Sequence, residues 1–356
     1  MTTDGSKVST ENLGKKYGDK WAVRGVDLAA DELRIVGLIG PSGCGKTTLV
    51  RMLNGILPPD EGSVSLLGKD PQKFGSTDRQ RIGYLPQQAV LFPELSLWEN
   101  LNYHASLAGV RFRRRARLHE LLEFVELGDD RKKKVHEASG GMQRRLALAA
   151  VLVHKPEVLF LDEPTAGIDP ILRRRIWERF RLLRDEGTLL VVTTQYVGEA
   201  ADCDDVGVLS EGQLLSLTSP GELARTAYGG DLVEITSVDP LPEHLVAEAD
   251  TLDGVTSVER IGPHSAQLVV HEAKATLPLL RDWLDHHDVT TTSVDEPTID
   301  FDEVFVRIVE RDRGERAETD DDAAESDDSK TGEAAEVDLT GGNQQPHERE
   351  RPLERF

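Results

Sequence analysis

The stretch Gly40-Pro41-Ser42-Gly43-Cys44-Gly45-Lys46-Thr47-Thr48 decides the fold class of this chain. It follows an apolar run, Leu33 to Ile39, that is typical of a buried strand, and a helical pattern of apolar residues begins directly after it. A glycine-rich loop between a strand and a helix directs backbone N–H groups and the positive end of the helix toward phosphate oxygens. The sequence therefore predicts a phosphate-binding loop in an α/β domain.

Most residues of this loop are expected to contact a nucleoside triphosphate. Lys46 can reach the β- and γ-phosphates, and the Thr47 hydroxyl can bind Mg²⁺. The other residues contribute mainly backbone N–H groups. The predicted nucleotide-binding residues of the loop are Gly40, Ser42, Gly43, Cys44, Gly45, Lys46, Thr47 and Thr48.

A second candidate element is the apolar run Val158 to Leu161, which is followed by Asp162 and Glu163. An acid at the end of a buried strand can hold Mg²⁺, either directly or through water. The next acid, Glu163, can polarise a water molecule that attacks the γ-phosphate. We therefore predict Asp162 as a metal ligand, and Glu163 with Lys46 as catalytic residues.

A third element, Ser139-Gly140-Gly141, opens a helix that is rich in leucine and alanine. The N-terminus of such a helix can receive a second anion. Because one triphosphate seldom needs two such ends, this element makes it possible that a second copy of the chain completes the site.

In this order, the three elements resemble the ATP-binding subunit of an ABC transporter, over about residues 8–217. The resemblance implies an α/β fold of a particular kind, a P-loop ATPase cassette with a mixed sheet core and a helical subdomain. It implies ATP and Mg²⁺ as cofactors. It also implies a head-to-tail homodimer in which two ATP molecules lie between the subunits.

The resemblance assigns roles to further positions. Tyr17 matches the aromatic residue that stacks on adenine, and Gln87 matches the glutamine that senses Mg²⁺ and water. Asp169 lies in the turn that contacts the other subunit. The residues Ser139, Gly140 and Gly141 match the signature that contacts the opposite ATP.

Two positions depart from the family pattern. Ala138 replaces the usual leucine at the start of the signature, and we expect a small effect. Gln195 stands where the family usually has a catalytic histidine. A glutamine amide can donate a hydrogen bond, but it cannot carry a positive charge or pass on a proton. Our hypothesis is that Gln195 still supports hydrolysis, which depends mainly on Glu163.

Several segments narrow the resemblance to the drug- and antibiotic-exporting branch, namely Leu91–Ser96, Thr193–Tyr196, Ser219–Leu223 and residues 297–305. This branch implies efflux through a separate transmembrane permease at the cytoplasmic face of the membrane.

The permease would dock in the helical region, where Phe92, Leu95 and Trp98 can present an apolar pocket. Three alternatives remain open. They are an importer ATPase subunit, a soluble ABC ATPase that works on ribosomes or DNA, and an ATP-gated switch that barely hydrolyses.

Composition limits the classes of protein that fit. The 356 residues carry a net charge of −22, which disfavours nucleic acid as a partner. No run of about eighteen apolar residues occurs, so we expect no transmembrane segment in the chain itself. The two cysteines form no disulfide framework. The acidic surface fits either a high-salt source or a high-GC genome.

The pattern along the chain predicts three regions. The ATPase domain covers residues 1–225, with a helical subdomain at about 88–153. A small α+β accessory domain covers residues 230–309, because strand and helix patterns alternate there. Residues 310–356 are rich in aspartate and glutamate and lose the apolar pattern, so we predict a disordered acidic tail.

Overall fold

The computed structural model of the protein describes residues 6–31, 33–88, 90–110 and 114–328. The chain divides into two compact units, Met1–Glu310 and Arg311–Phe356. The strands in the described residues are β1 Val8–Tyr17, β2 Lys20–Ala30, β3 Ile35–Ile39, β4 Glu61–Leu66, β5 Ile82–Leu85, β6 Val158–Asp162, β7 Leu189–Thr194, β8 Asp205–Ser210, β9 Gln213–Thr218, β10 Asp231–Ser237, β11 Val255–Arg260, β12 Ser265–Val270 and β13 Thr291–Asp295.

Helices alternate with these strands through most of the chain. The α-helices in the described residues are α1 Lys46–Leu53, α2 Ser76–Arg79, α3 Leu97–Leu107, α4 Arg114–Phe124, α5 Gly140–Val151, α6 Pro170–Asp185, α7 Pro220–Tyr228, α8 Glu243–Ala249, α9 Ala273–His286 and α10 Phe301–Asp328. Short 3-10 helices occur at Pro71–Lys73, Val135–Glu137 and Val197–Asp202.

The largest sheet has the strand order β5-β6-β7-β3-β8-β9. Its first five strands are parallel, and β9 pairs antiparallel with β8. All residues of β3, β6 and β7 are buried, as expected for a parallel sheet that is covered on both faces. A second sheet, β2-β1-β4, is antiparallel. The predicted mixed-sheet core is therefore confirmed.

Side chains of the central strands alternate between two hydrophobic cores. In β6, Val158 and Phe160 belong to the core that contains α1 and the antiparallel sheet. Leu159 and Leu161 belong to the other core, which contains residues of α3, α4, α5 and α6. This period of two follows from the pleat of a strand. It places α1 and α5 on opposite faces of the sheet.

The C-terminal module is a four-stranded antiparallel sheet with two helices, as the α+β pattern predicts. Its chain order is β10-α8-β11-β12-α9-β13 and its strand order is β11-β12-β10-β13, a split βαβ arrangement. A third hydrophobic core contains only residues between Val233 and Val294. The module therefore has a core of its own.

Helix α10 begins within the cassette core rather than in the core of that module. Phe301, Val304 and Ile308 are buried there, in the same cluster as Leu223 and Ala224 of α7. Their spacing of three and four residues forms one face of a helix.

Helix α10 continues to Asp328 and so includes the first residues of the acidic tail predicted for residues 310–356. The disorder of that tail stays a prediction. The rest of the predicted tail, residues 329–356, lies outside the described residues.

Candidate functional site

The phosphate loop lies between β3 and α1. At two of its positions only glycine fits, because the backbone of another strand lies too close to leave room for a side chain. Gly40 and Gly45 have positive φ angles of 156° and 111°. A Cβ atom on Gly40 would lie 2.3 Å from the Leu209 carbonyl oxygen, and one on Gly45 would lie 2.3 Å from the Ala22 carbonyl oxygen. The loop is thus seated against β8 and β2, which fixes its shape.

Lys46 is buried at the first position of α1. Its Nζ donates to the carbonyl oxygens of Gly40 at 2.7 Å and Pro41 at 3.0 Å. Burial raises the pKa of the neighbouring Cys44 thiol, although Lys46 opposes this shift, so Cys44 stays protonated. The residues that line one cavity at this loop are Ala22, Ser42, Gly43, Gly45, Lys46, Thr47, Thr48, Gln87 and Glu163.

Asp162 is fully buried at the end of β6 and has one free oxygen. Its Oδ1 accepts hydrogen bonds from Thr47 Oγ1 at 3.1 Å and Thr193 Oγ1 at 2.5 Å. Its Oδ2 is buried, and in the described part of the chain no group donates to it. Buried polar atoms normally have a partner, and a carboxylate oxygen is a ligand that Mg²⁺ prefers. Asp162 and Thr47 therefore fit a magnesium ion or a water bound to it.

Glu163 is held by its backbone and faces Gln87. Its φ angle is 53°, in the left-handed region, which costs a residue with a side chain about 1 kcal/mol or more. The Glu163 N–H donates to the Thr193 carbonyl at 3.0 Å, which stabilises this conformation. Gln87 Nε2 donates to Glu163 Oε2 at 3.3 Å. The two side chains predicted to handle water and metal are thus in contact.

Arg144, which the sequence analysis did not single out, lies behind this pair. It is 7% exposed, and its guanidinium donates to the carbonyls of Pro86, Gln87, Asp162 and Glu163. Burial lowers the pKa of Arg144, while Asp162 and Glu163 oppose that shift. A signal existed in the sequence, because its spacing puts Arg144 on the buried face of α5 with Ala147 and Leu148.

The signature residues cap α5 away from this cavity. Ser139 Oγ accepts a hydrogen bond from the Met142 N–H at 3.3 Å, and Ser139 and Gly140 are exposed. A Cβ atom on Gly141 would lie 3.6 Å from the Gly167 carbonyl oxygen. The structure therefore brings the signature next to the turn that carries Asp169, which caps α6 through a 3.0 Å bond from the Leu172 N–H.

Two other predicted residues are exposed rather than part of the cavity. Tyr17, at the end of β1, is 54% exposed. Gln195 directly follows β7 and is also exposed. Within a single chain, the described site consists of the phosphate loop, Gln87, Asp162 and Glu163, and it does not include Tyr17, Gln195 or the signature.

A partly buried network joins the Asp169 turn to the Gln195 segment. Arg173 donates to the Ile168 carbonyl at 3.3 Å, and its guanidinium lies 4.4 Å from the centre of the Tyr196 ring. Its Nε lies 3.6 Å from Oε1 of Glu199, which is 5% exposed and accepts a 2.7 Å bond from Thr165. Arg173 therefore contacts both the Asp169 turn and the Gln195 segment.

Comparison with known proteins identifies the family. The ABC transporter family model matches residues 23–166. The linearmycin resistance ATP-binding protein of Bacillus subtilis (strain 168) is 31% identical over 301 residues, which cover 82% of this chain and 96% of that protein. The chain belongs to the ABC transporter family. It is an ATP-binding component of a transporter, and it is an ATPase, as the sequence predicts.

Further relatives agree with this assignment. The daunorubicin resistance ATP-binding protein of Streptomyces coeruleorubidus is 42% identical over 230 residues, 64% of this chain and 72% of that protein. A solved dimeric ATP-binding cassette in a post-hydrolysis state, bound to ADP and Pi, has a TM-score of 0.55 and 27% identity, covering 60% of this chain and 98% of that one. Among the described helices, none combines the length and apolar character that crossing a membrane requires.

Proposed function

We propose that this ABC ATPase drives export through a separate permease and that Glu163 is the general base for ATP hydrolysis. The observation that carries the proposal is the contact between Glu163 and Gln87, 3.3 Å apart on the cavity that Lys46 also lines. A carboxylate at this place can take a proton from water, and the Gln87 amide can orient the same water. Gln195, which is exposed directly after β7 and does not line the cavity of the single chain, would add a neutral donor to the γ-phosphate once the nucleotide is bound.

The phosphate loop supplies binding and charge neutralisation. Its backbone N–H groups receive phosphate oxygens at the N-terminus of α1, and Lys46 contributes the positive charge. When Mg²⁺ is bound, it neutralises charge on the β- and γ-phosphates. Thr47 and Asp162 hold it in this proposal, with Gln87 on the same side, because the free Asp162 Oδ2 needs a partner.

The exposed elements fit a head-to-tail homodimer. Ser139, Gly140 and Asp169 are exposed at helix N-termini and do not reach the cavity of their own chain. In the proposed dimer, the signature contacts the ATP of the opposite chain, and Tyr17 stacks on adenine. A dimer is the assembly of the solved cassette described above.

The permease contact is proposed for the segment before α3 and for α3 itself. Phe92 and Tyr103 are each 40% exposed, and their rings meet edge to face at 4.7 Å. Trp98 stacks on His119 at 4.5 Å, so it belongs to the local packing as much as to a docking surface. Leu95 is partly buried beside them. We place this surface at the cytoplasmic face of the membrane.

Export is the direction that the relatives favour. The names of the linearmycin and daunorubicin proteins refer to resistance, and a 40% identical protein of Burkholderia orbicola (strain AU 1054) is named for Nod factor export. We also propose the domain division at residues 1–225 and 230–309, with a helical subdomain at about 88–153. The separate core between Val233 and Val294 supports an accessory module within 230–309, whereas Phe301, Val304 and Ile308 at the end of this range pack in the cassette core.

Co-purification from membranes tests this function. The tagged Glu163→Gln chain, which should bind ATP without turnover, is purified from detergent-solubilised membranes with ATP and Mg²⁺. We expect a membrane protein with several spanning segments to be recovered. A matched Lys46→Ala/Glu163→Gln chain should lose ATP-dependent dimer closure. Recovery of a substrate-binding protein would contradict export, and recovery of ribosomes without membrane protein would contradict transport.

A further inference from the structure

We propose that Arg144 is a positioning residue that fixes Gln87 and Glu163 to helix α5. This inference rests on the proposed function of that pair and deepens it. Arg144 touches neither reacting side chain. It acts on the backbone of both segments, so it sets where the two side chains point.

The contacts of Arg144 join two segments of the site. Nη1 donates to the carbonyls of Pro86 at 2.5 Å and Gln87 at 2.8 Å, which follow β5. Nη2 donates to the carbonyls of Asp162 and Glu163, the latter at 2.9 Å, at the end of β6. One planar group therefore binds four carbonyl oxygens.

The hydrogen-bond ladder of the sheet cannot join the segments that follow β5 and β6. Strands β5 and β6 pair in parallel up to Leu85 and Leu161. The residue that follows β5 is Pro86, which has no N–H and cannot continue the ladder. Beyond that point the Glu163 carbonyl also accepts from the Ala166 N–H at 3.2 Å. In the described residues, Arg144 is the group that donates to the carbonyls on both sides. The spacing between the ends of the strands thus depends on a side chain.

Helix α5 is the element that Arg144 anchors to these segments. The same helix carries the exposed signature residues Ser139 and Gly140 at its N-terminus. In the dimer proposed above, that end meets the nucleotide of the opposite site. A movement of α5 would then displace Gln87 and Glu163 together, and closure over one nucleotide would align the general base of the other site.

Replacing Arg144 by lysine or methionine tests this role in the full-length protein. Lysine keeps the charge but has a single nitrogen that cannot span both segments. We expect kcat for ATP hydrolysis to fall about a hundredfold with methionine, the cost of misplacing a catalytic group by roughly 1 Å. A loss of about tenfold is expected with lysine. The Kd for a fluorescent ATP analogue should change less than about threefold, because the hydrogen bonds of Arg144 go to backbone carbonyls outside the phosphate loop and leave Lys46 and Thr47 untouched.

Arg145 provides the matched control on the same helix. It donates to the carbonyls of Val125 at 2.9 Å and Glu126 at 3.3 Å, away from the site. Arg145→Met should lower thermal stability to a similar extent but leave kcat within about threefold of the wild-type value. This comparison separates positioning from general destabilisation.

A double variant gives a second readout. In a Glu163→Gln chain, adding Arg144→Lys should change the residual turnover less than about twofold, because residues that act as one unit are not additive. A further tenfold loss in that background would overturn the inference, as would parallel losses in kcat and affinity, or losses equal to those of Arg145→Met. Absence of turnover in the wild-type chain would instead overturn the proposed function and this inference together.

Discussion

Gln87 Nε2 and Glu163 Oε2 lie 3.3 Å apart at the carboxyl ends of two adjacent parallel strands. Contacts with the backbone of both residues help to hold the two side chains in position. Glu163 has a left-handed backbone that Thr193 stabilises through its carbonyl and hydroxyl, and Arg144 binds the carbonyls of both residues. In the function proposed above, this carboxylate and this amide would bind the same attacking water molecule.

Asp162→Asn should remove the dependence of nucleotide binding on magnesium. The free Oδ2 becomes an amide or a weaker ligand, while Thr47 and Thr193 can rotate to keep the local bonds. We expect affinity for an ATP analogue in the presence of Mg²⁺ to fall at least about tenfold, with little change in its absence. Fluorescence titration measures both. Asp185→Asn, at the exposed end of α6, is the control, and equal losses in the two variants would contradict the assignment.

Gln195→His should give turnover a new pH dependence. A histidine there titrates near its ordinary pKa of about 6.5, and its charged form makes a stronger bond to phosphate than a neutral amide. The ratio of variant to wild-type kcat is therefore expected to rise as the pH falls through that value. Gln195→Ala should lower turnover without a new titration. A constant ratio across the pH range for Gln195→His would show that this position does not reach the γ-phosphate.

His154 should make the folded chain sensitive to acid. Burial lowers the pKa of His154 below the ordinary 6.5, although the bond to the Ile82 carbonyl opposes the shift. The neutral ring is favoured on folding, so its stabilisation is complete above pH 6.5 and is lost as the pH falls through the lower folded-state pKa.

The free energy of urea unfolding, measured at about pH 7.5 and about pH 5.5, checks this pH dependence. His154→Gln should lose less stability over that interval than the wild type. The exposed His136→Gln is the control. An unchanged loss in His154→Gln would assign the acid sensitivity to other groups.

Asn100 should hold the proposed permease surface in shape. Its side chain is fully buried, accepts a bond from the Phe92 N–H at 2.8 Å, and donates to the carbonyls of Phe92, Leu95 and Ser96. Asn100→Ala leaves the Phe92 N–H without its partner, whereas the three carbonyls keep bonds from the backbone N–H groups of Leu95, Val135 and residue 100. We expect a loss of about 1–3 kcal/mol in the free energy of unfolding.

Asn100→Ala should weaken the binding of this chain to the permease. Recovery of the permease in the membrane purification should drop, while the nucleotide affinity of the folded protein stays unchanged. Asn102→Ala, which is partly exposed on the same helix, is the comparison. If permease recovery is equal in the two variants, the docking surface lies elsewhere.

The parts of the site that sequence could predict are those that are local in the chain. The loop from Gly40 to Thr48 needs only its own glycines, lysine and hydroxyl, so its place between a strand and a helix was correctly predicted. Asp162 and Glu163 were recognisable because they end an apolar run. Their use in metal binding and catalysis stays a prediction.

The parts that sequence could not predict depend on which strands are neighbours. Arg144 contacts Pro86 and Asp162 only because β5 lies beside β6, and Thr193 reaches Asp162 only because β7 lies on the other side. The packing of the apolar face of α10 could not be predicted from the sequence for a similar reason. Phe301 packs in a core formed by residues that are distant in sequence.

Steady-state ATP hydrolysis by Glu163→Gln is the most direct test of the central claim. Loss of the general base should lower kcat about a hundredfold or more, while affinity for the ATP analogue remains within a few-fold of the wild-type value. Glu157→Gln is the matched control, because Glu157 directly precedes the same strand at its opposite end, where its carboxylate forms an ion pair with Arg81. A Glu163→Gln turnover within a few-fold of the wild type would contradict the account.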